Sequence, residues 1–307
     1  MTAYLARRLL QSALILVGIT LVTFVLLYLV PADPARQIAG RSATPELVAN
    51  IRHELGLDLP LYQQYGRYLS HLAQGDLGRS YLQKSEVSEL IASRLPATLL
   101  LMLGAILCEL ALGLTMGVLA ALRRGRAVDQ TLMVLSFIGV SSPQFVVAIL
   151  LLYVFSVKLG WFPIGGYGTF AHLVLPSLTL GLLGAGWYAR MMRSSMLDVL
   201  RQDYVRTARS KGLSEPAVTY VHALRNAILP VITTIGIETA FLFGGLIVTE
   251  TVFNIPGVAR FLVEAIRWRD YPMVQNLVMF IALVVVLVNL VVDLAYMFVD
   301  PRIRLRG

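Results

Sequence analysis

The sequence alternates between long apolar runs and shorter polar segments. An α-helix needs about 20 mostly apolar residues to cross a bilayer, and six runs reach that length to within a few residues. They cover residues 9–30, 97–122, 131–157, 172–196, 228–249 and 277–299. The pattern predicts an all-α membrane protein with six transmembrane helices in a single transmembrane domain, 1–307.

The first apolar run is predicted to be a retained membrane helix. It contains about 22 residues, or ~33 Å of helix, whereas the apolar core of a secretory signal peptide has only about 7–15 residues. The run is followed by residues 31–34 (PADP), which do not resemble a cleavage site of small residues.

The fourth apolar run is the least regular of the six. It contains Gly181, Gly184 and Gly186, and it carries Arg190 and Arg193 near its end. Small residues allow two helix backbones to approach closely. We therefore expect a neighbouring helix to pack tightly against these glycines.

The region of residues 31–96 is too long for a linker and is predicted to form a layer of short amphipathic helices. Thr44 and Pro45 form a helix start, with an N-cap residue followed by proline at the first helical position. A second helix is expected to follow Pro60, and a third to begin at Ser85.

Composition supports the membrane interpretation and excludes other classes. Only 14% of the 307 residues are charged, against about 25% in soluble domains. The net charge of +8 does not indicate nucleic-acid binding, because lysines and arginines cluster at the ends of apolar runs.

By the positive-inside rule both termini are predicted to be cytoplasmic and the 31–96 layer extracytoplasmic. The lone Cys108 excludes an intrachain disulfide.

The polar segment 197–227, between the fourth and fifth runs, is predicted to be a cytoplasmic elbow of two short helices. The first covers about 197–211, and Gly212 provides the left-handed residue that commonly ends a helix. Ser214 can cap the second helix. The second helix has one apolar stripe at helical spacing, formed by Ala217, Val221, Leu224 and Ile228. An elbow with a polar tip and an apolar underside suits docking into a groove of a partner.

A second loop, 251–274, is predicted to fold back on the extracytoplasmic side after the fifth run. Phe253, Asn254 and Pro256 combine turn residues with an apolar anchor. We expect a short re-entrant structure here.

Polar side chains inside the predicted second, fifth and sixth spans are candidates for function or for interhelical contacts. A carboxylate at membrane depth is costly and indicates a functional site, so Glu109 is a candidate for the translocation pathway, with a buried packing role as the alternative. Glu238 is a second pathway candidate. Asn289 and Asp293 are expected to form interhelical contacts, Asp293 with an arginine of the fourth run.

Pro143 predicts a kink about a third of the way along the third run. Ser141 and Gln144 flank the region and can satisfy the backbone carbonyl that proline releases. They are pathway candidates if the kink faces a central cavity, and a purely structural kink is the alternative.

The sequence contains no phosphate-binding loop, no metalloprotease or serine-hydrolase motif and no metal-ligand spacing among its four histidines. We therefore predict no cofactor, no metal site and no enzymatic activity in this chain. The residues favour a transporter subunit driven by a partner. An ATP-independent channel of identical chains is the alternative of a different class, and the absence of catalytic motifs argues against an intramembrane enzyme.

Several motifs together resemble those of a known family of membrane subunits. They span nearly the whole chain and lie at 31–34 (PADP), 54–58 (ELGLD), 75–78 (GDLG), 204–212 (YVRTARSKG), 222–230 (HALRNAILP), 250–257 (ETVFNIPG), 269–272 (RDYP) and 300–304 (DPRIR). In this combination the chain resembles the inner-membrane permease subunits of ATP-binding-cassette (ABC) importers for dipeptides, oligopeptides and nickel. One departure is that Arg206, Thr207 and Ala208 stand where the wider family has Glu-Ala-Ala.

The resemblance implies a type I ABC importer permease fold in a bacterial inner membrane. It implies four partners: a second permease subunit, two ATP-binding subunits that hold ATP and Mg²⁺, and an extracytoplasmic solute-binding protein. The elbow would contact an ATP-binding subunit through Arg206, Thr207, Ala208, Arg209, Lys211, Gly212, Leu213 and Ser214. The loop with Phe253, Asn254 and Pro256 would face the binding protein.

The expected cargo is a short peptide, such as a dipeptide, an oligopeptide or glutathione, and nickel or a metal chelate is the alternative. Transport would proceed by alternating access driven by closure of the ATPase pair.

Overall fold

The computed structural model describes residues 2–29, 33–40 and 43–299, which fold into helices joined by turns. The helices are α1 (Thr2–Leu29), α2 (Pro34–Ala39), α3 (Pro45–Glu54), α4 (Leu61–Ala73), α5 (Val87–Leu122), α6 (Ala127–Ser141), α7 (Gln144–Leu151), α8 (Ala171–Val199), α9 (Asp203–Ser210), α10 (Glu215–Ala217), α11 (Leu224–Ala227), α12 (Leu229–Val252), α13 (Val258–Trp268) and α14 (Tyr271–Val299). Two π-helices, Leu152–Lys158 and Val218–Ala223, follow α7 and α10. Within the described ranges, strand-like pairing is limited to one bridge between Arg79 and Glu86.

Three of these helices are long and apolar enough to cross a membrane, namely Arg7–Leu27 within α1, the whole of α5, and Tyr271–Val291 within α14. Two bent pairs meet the same criteria together, so the described part of the chain holds up to five such spans. The first pair, Ala127–Ser141 with Gln144–Lys158, bends by 105°. The second, Glu215–Gly236 with Phe241–Val252, bends by 65°.

The predicted fourth span, 172–196, is a continuous helix, α8, but it is not among the helices that meet the membrane criteria. Its glycine, serine and threonine residues dilute the apolar ones. The predicted number of six crossings therefore stays a prediction, as does the orientation of the termini.

The chain divides into two compact units, of which the first comprises residues 1–96 and 257–286. Its small helices begin as the sequence predicts. The Thr44 hydroxyl accepts a hydrogen bond from Leu47 N at 3.4 Å, and Pro45 is the first residue of α3. Asp33 caps α2 in the same way, accepting from Ala35 N at 3.1 Å. These caps satisfy amide groups that a helix start leaves without partners.

The core of the first unit is apolar and joins α13 to the adjoining ends of α5 and α14. Its buried members are Val87, Ile91, Val258, Phe261, Ala265, Met273, Val274 and Leu277. Asp270 ties the turn before α5 to the start of α14: it accepts from the Ser80 hydroxyl at 2.5 Å and from Tyr81 N at 3.3 Å. Asn276 adds a 2.8 Å bond from its Nδ2 to the Leu77 carbonyl.

The second unit comprises residues 97–256 and 287–307, and glycines set the approach of its helices. A Cβ atom added at Gly117 of α5 would lie 2.6 Å from Cβ of Met192 on α8. One added at Gly181 or Gly184 would collide with Cys108 or Glu109. A Cβ atom added at Gly186 would likewise collide with the backbone of α6. The predicted tight packing around the glycines of the fourth run is confirmed.

An ion pair fixes the start of α6 against α8. Arg193 Nε donates to Asp129 Oδ1 at 2.6 Å, and Arg193 Nη2 donates to Asp129 Oδ2 at 2.7 Å. Gly125 N adds a third bond to Asp129 at 2.9 Å. This pair was not predicted from the sequence. The arginines of the fourth run were instead expected to contact Asp293, whose side chain lies outside the described residues.

The third helix predicted for the 31–96 layer is not separate. The sequence placed a boundary between a short helix beginning at Ser85 and a span beginning at residue 97. Instead α5 runs unbroken from Val87 through Pro96 to Leu122. Proline removes one backbone hydrogen bond, but a long helix tolerates this where its neighbours compensate.

Candidate functional site

The segment between α8 and α12 forms the predicted elbow around a left-handed glycine. Helix α9 ends at Ser210, and Gly212 has φ +75°. A residue with a side chain disfavours that conformation, whereas glycine adopts it at little cost. Ser214 then precedes α10 with extended backbone, and Pro216 lies in the first turn. The predicted Gly212 turn and Ser214 cap position are confirmed, but the described contacts of Ser214 include no side-chain cap bond.

Two contacts across the elbow hold its helices together. Arg209 Nε donates to Glu215 Oε1 at 2.9 Å, which joins α9 to α10 over the Gly212 turn. Asn226 Nδ2 donates to the Tyr204 hydroxyl at 2.8 Å, which joins α9 to α11. Both contacts therefore join α9 to the helical segment that follows the Gly212 turn.

The underside of the elbow is apolar. Val205 and Ala208 of α9 are buried together with Val218. Val199 and Leu200 at the end of α8 pack against them. This cluster seats the elbow on the helix that precedes it.

The predicted apolar stripe of the second elbow helix is wrong at Val221, whereas Leu224 and Ile228 pack against buried apolar residues as predicted. Val221 is 61% exposed, and the buried residues are instead Val218, Thr219 and Ala223. The cause is the π-helix Val218–Ala223, in which hydrogen bonds run from i to i+5. The wider turn shifts the buried face relative to the 3.6-residue period that the prediction assumed.

The first elbow helix is also shorter than predicted. The sequence placed one helix over about 197–211, but α8 ends at Val199 and α9 begins at Asp203. Residues 200–202 separate the two helices.

The predicted coupling residues lie mostly on one exposed surface, which we call the elbow tip. Its members are Arg206, Thr207, Arg209, Lys211, Gly212, Leu213 and Ser214, all exposed. Ala208 is the exception, being buried in the underside. The tip carries the three cations Arg206, Arg209 and Lys211. Glu215, beside the tip, forms an ion pair with Arg209.

The structure places two of the predicted pathway residues inside the second unit. Glu109 of α5 is 6% exposed, and its carboxyl group occupies the space that Gly184 leaves on α8. Glu238 of α12 lies in the same unit and is half-buried. Tyr188, which is almost fully buried, was missed because a tyrosine in an apolar run is typical of a core residue.

The predicted kink at Pro143 is confirmed as a complete break between α6 and α7, with an angle of 105°. Gln144 begins α7 and is anchored to α12: its Nε2 donates to the Gly245 carbonyl at 2.6 Å and to the Thr249 hydroxyl at 2.7 Å. Ser141 is exposed and does not join this contact. The two flanking residues therefore differ, one bridging helices and one lying on the surface.

Of the three residues predicted to be important in the loop after α12, one is buried and two are exposed. Phe253 is 1% exposed, and its carbonyl accepts from Gly166 N at 2.8 Å. Asn254 and Pro256 are exposed, and Asn254 has φ +51°. Of the three predicted loop residues, only these last two are exposed.

One buried acid was not singled out from the sequence. Glu250 near the end of α12 is fully buried, and its Oε1 accepts from the Thr98 hydroxyl at 2.7 Å. The sequence contains it in the motif 250–257, but no local pattern distinguishes a buried from an exposed glutamate there.

The chain matches two family models that together cover most of it. Residues 113–305 match the family described as "Binding-protein-dependent transport system inner membrane component". Residues 1–102 match the N-terminal model of the same kind of membrane component.

Curated relatives align over the full length. The chain is 45% identical to the glutathione transport system permease protein GsiC of Salmonella paratyphi A, over 99% of both chains. It is 43% identical to the probable peptide ABC transporter permease protein y4tP of Sinorhizobium fredii, over 99% of this chain and 100% of that protein. It is also 43% identical to the di/tripeptide transport system permease protein DppB of Pseudomonas aeruginosa, over 99% of both.

Among solved structures, the chain resembles one from the inward-facing MetNI methionine ABC transporter. The TM-score is 0.58 at 18% identity, covering 69% of this chain and 96% of that chain. At this identity the likeness shows a shared fold alone. The chain therefore belongs to the family of inner-membrane components of binding-protein-dependent transport systems.

Proposed function

We propose that this chain is the transmembrane subunit of an ATP-driven importer that moves short peptides into the cytoplasm by alternating access. The observation that carries the proposal is the elbow, whose helices are joined across the Gly212 turn and which has an exposed cationic tip and an apolar seat on α8. An elbow of this kind can transmit the motion of a docked motor to the helices behind it.

The motor lies in other chains. The sequence has no phosphate-binding loop, so ATP and Mg²⁺ are bound by two ATP-binding subunits beneath the elbow. A second permease subunit completes the pathway, and an extracytoplasmic solute-binding protein delivers the cargo. The family description, which names dependence on a binding protein, supports this assembly.

Within this assembly the chain crosses the inner membrane six times with both termini in the cytoplasm. The basic loops between predicted spans support this orientation. The elbow tip then faces the ATP-binding subunits. Asn254 and Pro256 face the binding protein, with Phe253 as their buried anchor.

Glu109 and Glu238 are proposed to line the pathway, where two carboxylates attract the amino terminus of a peptide. Gln144 holds the broken third span against α12. Ser141 is its exposed neighbour at the break.

The proposed cargo is a dipeptide, tripeptide or glutathione-like peptide. The printed functions of the relatives, glutathione and di/tripeptide transport, support this class. A nickel or metal-chelate importer is the alternative cargo, and an ATP-independent channel of identical chains is the alternative of a different class.

The test is uptake by vesicles that contain the complete complex and its cognate binding protein. We expect a labelled dipeptide or glutathione to accumulate, with unlabelled peptide competing and nickel ions failing to compete. Accumulation of nickel with no effect of peptide would overturn the cargo assignment.

A further inference from the structure

The loop of residues 159–170, between the π-helix Leu152–Lys158 and α8, exposes large apolar side chains to which the proposed function assigns no role. We call it the aromatic loop. Its exposed apolar residues are Leu159, Trp161, Ile164, Tyr167 and Phe170. Trp161 is 65% exposed and Phe170 is 83% exposed. Single exposed apolar residues are ordinary on a protein surface, but several on one loop mark a contact with a protein or a membrane.

The aromatic loop is held in place by contacts at both of its ends. Trp161 N donates to the Phe155 carbonyl at 2.9 Å, and the rings of these two residues lie 5.7 Å apart. Gly166 N donates to the Phe253 carbonyl at 2.8 Å. A Cβ atom added at Gly165 would lie 2.5 Å from the same carbonyl oxygen, so the two backbones are in close contact. The large side chains of the loop therefore stay outside the packed part of the unit.

The aromatic loop continues the apolar surface of a membrane segment. Gln144–Lys158 belongs to a bent pair that is long and apolar enough to cross a bilayer. Tyr153 and Val157 of this segment are themselves exposed. Because the Trp161 ring packs on Phe155, it lies beside this segment and not beyond its end. Whatever covers the exposed face of the segment therefore also reaches the start of the loop.

The distribution of charge favours lipid as the covering partner. Residues 159–171 contain no lysine, arginine, aspartate or glutamate, whereas an interface between proteins has a polar rim. Lys158 lies at the start of the loop, with its ammonium group 5.5 Å from the centroid of the Tyr153 ring. Tryptophan and tyrosine rings with a neighbouring lysine are typical of the boundary between membrane and water, where the ammonium group reaches the headgroups.

The backbone of the loop indicates its depth. Among the hydrogen bonds of the described residues, the backbone amides of Ile164 and Tyr167 have no partner. The hydrocarbon core offers no acceptor to such amides, whereas the headgroup region supplies water and phosphate oxygens. The loop is therefore suited to the boundary between headgroups and acyl chains.

We propose that the aromatic loop binds the surface of the bilayer, with Trp161, Ile164 and Phe170 inserted between phospholipid headgroups and acyl chains. Lys158 lies beside them and pairs with a lipid phosphate. The inference goes beyond the proposed function, because it depends neither on the cargo nor on the side of the membrane that the loop occupies.

The test places the photocrosslinking residue benzoylphenylalanine at position 170, in the complete complex with its binding protein. The vesicles consist of radiolabelled phosphatidylethanolamine and phosphatidylglycerol. We expect labelled phospholipid to be the main adduct of this chain after irradiation. The control carries the same crosslinker in place of Tyr220, an exposed aromatic residue of the elbow. There we expect about tenfold less lipid adduct, because a basic loop between spans lies in water.

A second measurement reports the depth of Trp161. Vesicles are made from lipids that carry bromine either near the headgroup end or near the methyl end of the acyl chains. Bromine quenches nearby tryptophans, and the contribution of Trp161 is the difference in quenching between wild type and Trp161→Phe. We expect this difference to be larger for bromine near the headgroups. A difference of zero, or one that is larger for bromine near the methyl ends, contradicts the proposed depth.

The crosslinking result also separates lipid from other partners. A polypeptide adduct at position 170 in place of lipid, whether to the second permease or to the binding protein, overturns the proposal, as does the absence of any adduct. If peptide uptake is normal but no lipid adduct forms, the membrane contact is wrong and the importer stands. If the lipid adduct forms but no ATP-dependent uptake occurs, the importer assignment is wrong and the membrane contact stands.

Discussion

At the scale of single residues, Asp129 and Arg193 form a two-bond ion pair in the second unit. Asp129 is 3% exposed and accepts three hydrogen bonds, two from Arg193 and one from Gly125 N. Asp129→Asn removes the charge and leaves Arg193 without its counter-ion. We expect a loss of about 1.5–3 kcal/mol, the range for hydrogen bonds to charged groups, seen as a lower Tm in detergent.

The matched control is the pair of Asp203 and Arg206, which lies 3.6 Å apart on the surface of α9. Exposed pairs contribute about 0–1 kcal/mol, so Asp203→Asn should leave Tm nearly unchanged. Equal losses in both variants would show that burial does not govern the contribution of the Asp129 pair.

A second prediction concerns Glu109. Glu109→Gln keeps the size of the side chain against Gly184 but removes its negative charge. If the carboxylate attracts the amino terminus of the cargo, uptake slows while Tm falls little. The measurement is the initial rate of peptide uptake beside the thermal melt. Glu264→Gln is the control, because that glutamate pairs with Arg260 on α13 at 2.9 Å and lies outside the pathway. Normal uptake in Glu109→Gln would assign Glu109 a packing role.

Residues with a local signature were predictable from the sequence. Gly212 and the Thr44 cap depend on their own backbone geometry, and both lie where the sequence placed them. Partners across the fold were not predictable. Arg193 meets Asp129, 64 residues away, and no spacing along the chain distinguishes that acid from any other.

At the scale of elements, the elbow depends on the left-handed backbone of Gly212. Proline fixes φ near −65° and removes the amide that donates to the Arg209 carbonyl at 2.9 Å. Gly212→Pro is therefore expected to reshape the elbow, so that the assembled complex hydrolyses ATP without moving peptide. The measurement is the ratio of peptide uptake to ATP hydrolysis.

The control variant is Gly212→Asn, because asparagine tolerates the left-handed region better than other residues with side chains. It should retain most of the uptake. If Gly212→Pro transports as well as Gly212→Asn does, the elbow does not couple the two processes.

Helix existence was predictable and helix irregularity was only partly so. Every predicted span corresponds to a helix or a broken helix of the structure. Pro143 predicted the break between α6 and α7, because sharp kinks in helices commonly occur at proline. The π-helix Val218–Ala223 had no such signal, since its residues also suit an α-helix, and Val221 was wrongly assigned to the buried face as a result.

At the scale of the whole molecule, composition and charge patterning predicted the class of protein, and the family match confirmed it. A cavity in the first unit, lined in part by Tyr68 and Asn276, could not be predicted. Tyr68 and Asn276 lie on α4 and α14, far apart in sequence, and each is unremarkable within its own helix. Only the folded structure brings these two helices to one cavity wall.

The most direct test of the account is peptide accumulation in sealed vesicles that hold the whole complex, measured with and without ATP. The account predicts that labelled peptide reaches a higher concentration on the cytoplasmic side only when ATP and binding protein are both present. Peptide that merely equilibrates across the membrane, at the same rate without ATP, would contradict it and indicate a passive channel.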